Sequence, residues 1–219
     1  MKQVICPTVQ FNIDRRHFLR RVGESVALGL SPTVFRRVVA ADEPHDSAGR
    51  AFFGTRGVVL TTKDLREVDW PQIAKDAGLS TIGTHITPSE VTEFVGSERG
   101  RRFLGECKQL GIQVEHELHA MKDLLPRNLF AENPGMFRMS EDGERVGDYN
   151  CCVHSKEGLE VICRNAVEYS RILRSTTARY FYWIDDGRPM CKCPRCRAYS
   201  DSDQALILEN TIVRACLLY

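Results

Sequence analysis

Apolar positions recur along the chain with two alternating periods. Short runs rich in β-branched or aromatic residues read as strands: Val58-Val59-Leu60, Thr81 to Ile86, Ile112 to His119 and Arg179 to Ile184. Between them the period lengthens to that of helices. Asp69 to Ala77 opens with a cap residue and a proline two places on, and Glu98 to Leu110 meets a natural stop at Gly111. Lys156 to Arg174 places Leu159, Ile162, Cys163, Ala166, Val167 and Ile172 on or near one face, and Ser202 to Leu218 is a last helix. A longer polar segment, roughly 120–154, carries Pro126, Pro134, Gly135 and Gly143. Strand–helix alternation of this kind predicts an α/β fold of parallel strands joined by right-handed crossovers. The turn after Leu60 reads Thr-Thr-Lys-Asp and lacks the glycine fingerprint of a dinucleotide fold. The expected architecture is therefore about four βα units, the N-terminal part of a (β/α)8 TIM-like barrel.

Charge divides the chain differently. The 219 residues carry a net charge of only +1, too balanced to predict nucleic-acid binding, and no apolar run is long enough for a stable membrane span. Residues 1–41, however, hold seven Lys/Arg against two Asp/Glu, which leaves the remainder mildly acidic, 23 against 27. Within that basic head, Arg15-Arg16-His17-Phe18-Leu19-Arg20 resembles the twin-arginine signal motif, carried by Arg15, Arg16, Phe18 and Leu19. A weakly apolar stretch, Val22 to Phe35, and small residues up to Ala41 follow it. The expected organisation is an export signal over 1–41, a polar linker over 42–56 and a partial barrel over 57–219. The twin-arginine machinery is the expected partner, and the destination is periplasmic or extracellular. About 178 residues follow the signal, whereas an eight-unit barrel takes about 250, so the pattern predicts a truncated barrel.

Candidate chemistry sits at strand ends. In the third strand Ile112, Val114 and Leu118 share one face, while Gln113, Glu115, Glu117 and His119 share the other. Polar residues alternating this way are costly to bury without partners or ligand; on an edge strand they would simply face water. The same parity groups Thr81, Gly83 and His85 in the second strand. Glu115-His116-Glu117-Leu118-His119 is not the His-Glu-x-x-His pattern of zinc proteases. Trp183-Ile184-Asp185-Asp186-Gly187 sets two carboxylates just past an aromatic strand. Parallel-sheet enzymes place reactive groups there, and adjacent like charges hold one as an acid; a plain Asp-Asp-Gly turn is the competing reading. Cys191, Cys193 and Cys196 put three thiols within six residues, with Cys151 and Cys152 as nearest additional thiols. Zinc, a disulfide or thiol redox chemistry would each use such a cluster.

Several of these residues together resemble a known family. Trp183-Ile184-Asp185-Asp186, then Cys191-x-Cys193-Pro194-x-Cys196, then Ser202-Asp203-Gln204 and Asn210 are similar to a largely uncharacterised family of exported bacterial proteins. That family is related to α-glucuronidases and other glycoside hydrolases with barrel folds. Asp69-Trp70-Pro71, Ala77-Gly78-Leu79, His119-Ala120, Leu124-Leu125-Pro126, Asn133-Pro134 and Cys152 fit the same resemblance, which spans about residues 57–215. It implies a barrel, carbohydrate handling and Cys152 as the fourth partner of the cluster Cys191, Cys193 and Cys196, for which a structural zinc is the expected cofactor and a disulfide the alternative. Asp185, Asp186 and Glu117 are the candidate catalytic residues, and His85, Glu115, His119 and Trp183 the candidate substrate contacts. The rival expectations are a non-catalytic carbohydrate-binding or surface protein and a small zinc-binding interaction module.

Overall fold

Thr61 ends the first strand by turning into a helix cap: its hydroxyl accepts from the Asp64 amide while Asp64 reaches back to the Thr61 amide. Such local signals punctuate the whole computed structural model, which describes residues 53–217. Strand β1 (Gly57–Thr61) leads through α1 (Thr62–Glu67) and α2 (Trp70–Asp76) to β2 (Thr81–His85). Next come α3 (Pro88–Gly96), α4 (Glu98–Leu110) and β3 (Gln113–His119). Helix α5 (Met121–Leu124), α6 (Lys156–Ile172), β4 (Phe181–Trp183) and α7 (Asp201–Leu217) complete the order. Gly111 stops α4 at φ 72°, a conformation that suits a residue without Cβ. The twin-arginine motif and nearly all of the linker lie outside the described residues. Arg56, assigned to the linker, is already tied to the fold, since its carbonyl accepts from the amides of Ser80 and Thr81.

All four strands are parallel, in the order β1-β2-β3-β4. The α/β class and the sequential parallel sheet of alternating βα units are thus as the sequence predicts. Three helices, α1, α3 and the short α5, lie where the apolar periodicity predicts no element, and β4 is shorter than the run 179–184. Among the described residues no helix is long and apolar enough to cross a membrane.

Register fixes two chemically different faces. Leu60, Ile82, Val114, Leu118 and Tyr182 are buried in two apolar clusters with helical residues such as Leu65, Ala74, Phe94, Phe103, Ile162 and Leu208. The helices therefore lie along one face, as in a singly wound sheet. The other face carries Val59, Thr61, Gly83, His85, Glu115, Glu117, His119 and Trp183, and Val59 there is 47% exposed. Some polar positions of the sheet are nonetheless enclosed. Glu115, only 4% exposed, is paired with Arg179, whose Nε donates to Oε1 at 2.6 Å. His116 and Thr84 lie on the helix-covered face, joined by a 2.7 Å bond between Nδ1 and Oγ1.

Burial pulls the His116 pKa down to about 4, offset in part by a hydrogen bond with the Arg174 backbone. An unfolded histidine takes its proton near pH 6.5, so His116 contributes fully above that value and its contribution is lost as pH falls through about 4. Between pH 7 and pH 4 the loss is on the order of 2–3 kcal/mol. Urea unfolding of wild type and His116→Gln at both pH values checks this: the variant has the flatter pH dependence.

Candidate functional site

The C-terminal ends of β2, β3 and β4 bring three rings together on the uncovered face. His85 and His119 meet edge to face at 5.2 Å between centroids, and Trp183 lies 5.3 Å from His119 and 6.0 Å from His85. Each histidine commits one nitrogen to the backbone. Nδ1 of His85 donates to the Glu117 carbonyl at 2.5 Å, and Nδ1 of His119 donates to the Ile184 carbonyl at 3.3 Å. Nε2 of each ring is left as the nitrogen for a ligand. Glu117 stands beside them: a methyl group at Gly83 would lie 2.7 Å from its Oε1, so glycine makes room for the carboxyl. Burial, then the charge of Glu115, raises the Glu117 pKa, while His85 and Arg179 pull it back.

Asp185 follows β4 on the same edge. The chain turns there, with the Arg188 amide donating to the Asp185 carbonyl at 3.3 Å and Gly187 at φ 64°. The turn reading of Asp-Asp-Gly is thus right for the backbone. Its carboxyl is not spent on the turn, because among the described residues no amide hydrogen-bonds it. Burial raises the Asp185 pKa, against the lowering charges of Arg127, His119 and Arg188, with Asp148 adding to the rise. Asp186, by contrast, is exposed. The expected mutual repulsion of the two aspartates is therefore not what shifts Asp185. Glu115 faces the same way but is committed to Arg179, one pleat further from the strand ends.

Three residues not singled out from the sequence hold this edge. Arg127 donates to the carbonyls of Met121, Leu125, Tyr149 and Asn150 and packs over the Phe137 ring at 4.7 Å. Asn150, 1% exposed, accepts the Asp185 amide at 3.0 Å through Oδ1. Its Nδ2 donates to the carbonyls of Arg188 and Pro189 at 3.2 and 3.1 Å. The Arg188 guanidinium in turn lies 4.2 Å above the Tyr149 ring.

Beside this turn lies the cysteine cluster. Cys152, Cys191, Cys193 and Cys196 are all buried, with their Sγ atoms within 4.8 Å of one another. Cys152 is 3.8 Å from Cys193 and 3.9 Å from Cys196, sulfur to sulfur. Disulfide sulfurs would be about 2.05 Å apart, so the cysteines are free and the set could hold a metal ion. Cys151, although adjacent, is outside it, and burial pushes its thiol up to about 12. Taken as thiols alone, Cys152, Cys191 and Cys196 are pushed in different directions. A hydrogen bond from Cys191 draws Cys152 down to about 4 and pushes Cys191 up, while burial pushes Cys196 up to about 12. N–H groups aim at the sulfurs from outside. The Met139 amide donates to Cys191 at 3.3 Å, the Arg145 guanidinium to the same sulfur at 3.9 Å, and His154 Nδ1 lies 3.3 Å from Cys196. Gln204 ties α7 to the cluster, its Nε2 donating to the carbonyls of Cys191 and Cys196 at 3.1 and 3.4 Å.

Compared with protein-family models, curated proteins and solved structures, the chain matches none. The chemistry of the site therefore rests on its geometry. Arg127→Met removes the guanidinium donors to those four carbonyls, of which that of Met121 keeps the Leu125 amide. It is expected to lower the unfolding free energy by about 3 kcal/mol, checked by urea denaturation, and to raise the Asp185 pKa by deleting the largest opposing charge.

Proposed function

We propose that the protein is an exported, glycoside-hydrolase-like member of the barrel class, acting on carbohydrate at the C-terminal edge of its sheet, with a structural zinc beside the site. The observation that carries the carbohydrate reading is the placing of Asp185: half-buried, with a raised pKa, and grouped with Arg127 and His119 at the end of β4, where Trp183 adjoins His119. A carboxyl whose pKa burial raises holds its proton to higher pH and can donate it to a departing glycosidic oxygen. Glu117 supplies the second carboxyl that such hydrolysis uses to stabilise or attack the positive sugar centre. Trp183 offers a flat apolar surface to a sugar ring, and Nε2 of His85 and of His119 accept hydroxyl hydrogens. Asp186, exposed beside Asp185, borders a shallow groove with Arg188, Asp201 and Ser202, and there meets the outer part of the substrate. The helix-free face with its exposed Val59 favours a second reading, carbohydrate binding without turnover, since nothing described there excludes water.

The zinc reading rests on the thiol geometry. Four sulfurs bound tetrahedrally at about 2.3 Å from one zinc lie about 3.8 Å apart, and the spacings of Cys152 to Cys193 and Cys196 are 3.8 and 3.9 Å. A buried dication also lets all four thiols ionise, which burial and mutual repulsion otherwise oppose. With four protein ligands the metal has no open position, so its role is to hold the two loops after β3 and β4 together. The twin-arginine motif supports export, a route that for such signals carries proteins already folded and so metal-loaded.

Asp185→Asn tests the acid. Turnover of oligosaccharides is expected to fall about 10²–10⁴-fold, with aryl glycosides that need no leaving-group proton losing far less. Equal turnover in wild type and variant across a glycoside panel overturns the assignment, and saturable sugar binding with no turnover in the wild type establishes the second reading. Elemental analysis is expected to find one zinc per chain. Cys152→Ser should weaken zinc binding by more than the roughly 10–100-fold typical of an outer hydrogen-bonding partner, read by competition with a chromogenic chelator.

A further inference from the structure

The cysteine cluster and Asp185 are joined by the same two stretches of chain, at two points only a few residues apart. On one side runs Asp148-Tyr149-Asn150-Cys151-Cys152; on the other runs Asp185 to Cys196. At the first junction Asn150 holds the amide of Asp185 and the carbonyls of Arg188 and Pro189. At the second, Cys152 meets Cys191, Cys193 and Cys196. The link between the junctions is stiff. Cys151 pairs with Phe137 in an antiparallel bridge, the Cys152 amide donates to the Met136 carbonyl at 2.9 Å, and both cysteines are buried. The Lys192 amide closes the frame by donating to the Met139 carbonyl at 2.9 Å.

We propose that Asn150 is a positioning residue through which metal binding at the four cysteines fixes Asp185 at the sheet edge. The inference rests on the metal reading above and deepens it by giving the metal a consequence at the acid. Asn150 is buried and its side-chain amide is committed to the Asp185 turn, so it acts through Asp185 rather than on substrate. Its amide oxygen fixes where the Asp185 backbone lies, and its amide nitrogen fixes the far limb of the turn. Loss of the metal frees Cys152 from the 191–196 loop, and the strip carrying Asn150 then moves independently of the turn it clamps. Asp185 relaxes toward solvent, away from the charged groups that act on it: Arg127 and Asp148 from the loop after β3, His119 from β3, and Arg188 from its own turn.

The test follows the Asp185 carboxyl by ¹³C NMR titration in the full chain, its signal assigned by its absence in Asp185→Asn, with zinc measured in every sample. Neither sugar nor turnover enters, so the outcome does not depend on whether the protein hydrolyses glycosides. In the zinc-loaded wild type the midpoint is expected to stand above the ordinary carboxylate value. Asn150→Ala is expected to keep one zinc per chain and to lower that midpoint by about one unit. Exchange of zinc for the larger cadmium ion is expected to shift the midpoint in the wild type and to leave it unmoved in Asn150→Ala, the pattern of two changes acting on one path. An unchanged midpoint in zinc-loaded Asn150→Ala overturns the inference, as do equal cadmium shifts in both proteins. A chain that binds no metal overturns the metal reading and this inference with it, whatever its activity on sugars.

Discussion

Two segments some forty residues apart in sequence are held in register at the sheet edge, by buried polar contacts as well as by apolar packing. Asn150 and Cys152 supply one side; the Asp185 turn and Cys191, Cys193 and Cys196 supply the other. The loop after β3 spans residues 120–155 and holds a four-residue helix, two 3-10 turns and two isolated antiparallel bridges. A segment that long and irregular has a large conformational entropy to overcome. Arg127, gathering four carbonyls from both ends of the loop, and the thiol cluster, drawing its last residues onto the next loop, offset that cost at a few places of high connectivity.

The same economy governs the open face of the sheet. A parallel sheet ordinarily has both faces covered, but here the helices occupy one face and the other carries carboxyls, imidazoles and an indole. Glu115 shows what such a face demands. It is buried because Arg179 neutralises it, and the pair keeps it apart from the groups nearer the strand ends. Glu117, two residues on, has no such close partner and is held instead against Gly83 and beside His85. One strand thus presents two glutamates in the same direction with different fates. The position of a single arginine 64 residues away decides between them.

That distance explains which features were legible in the sequence. The strands and the longer helices follow from local periodicity and punctuation; α4 begins and ends as read, because Ser97 caps it and Gly111 stops it. Helix α1 is only six residues long and shows no full apolar period, although Thr61 and Asp64 have the spacing of a capping box. Helix α3 carried a visible signal, Thr87 followed by Pro88 and Glu90, that periodicity alone does not weigh. Cys191, Cys193 and Cys196 were legible as a cluster from their density, which left Cys151 and Cys152 both open as the fourth thiol until the geometry selected Cys152. Arg127, Arg145, Asn150 and His154 were not, since each is an ordinary polar residue whose meaning comes from partners far along the chain. The same holds for Gln204, whose place in the Ser202-Asp203-Gln204 motif now has a cause: it bonds the carbonyls of two clustered cysteines.

Asp185 illustrates how a turn and an uncommitted carboxyl coexist. An aspartate that opens a turn usually spends its carboxylate on nearby amides, which stabilises the charged form and lowers the pKa. Here Asn150 accepts the Asp185 amide hydrogen, and a carbonyl-to-amide bond to Arg188 closes the turn. The backbone is satisfied without help from the carboxyl. What remains for that carboxyl is burial, which raises its pKa, and a set of positive groups near enough to limit the rise. An acid in that balance gives up its proton at higher pH than a free aspartate yet still ionises. The side chain that makes this balance possible is a neutral amide, two residues before a cysteine of the thiol cluster.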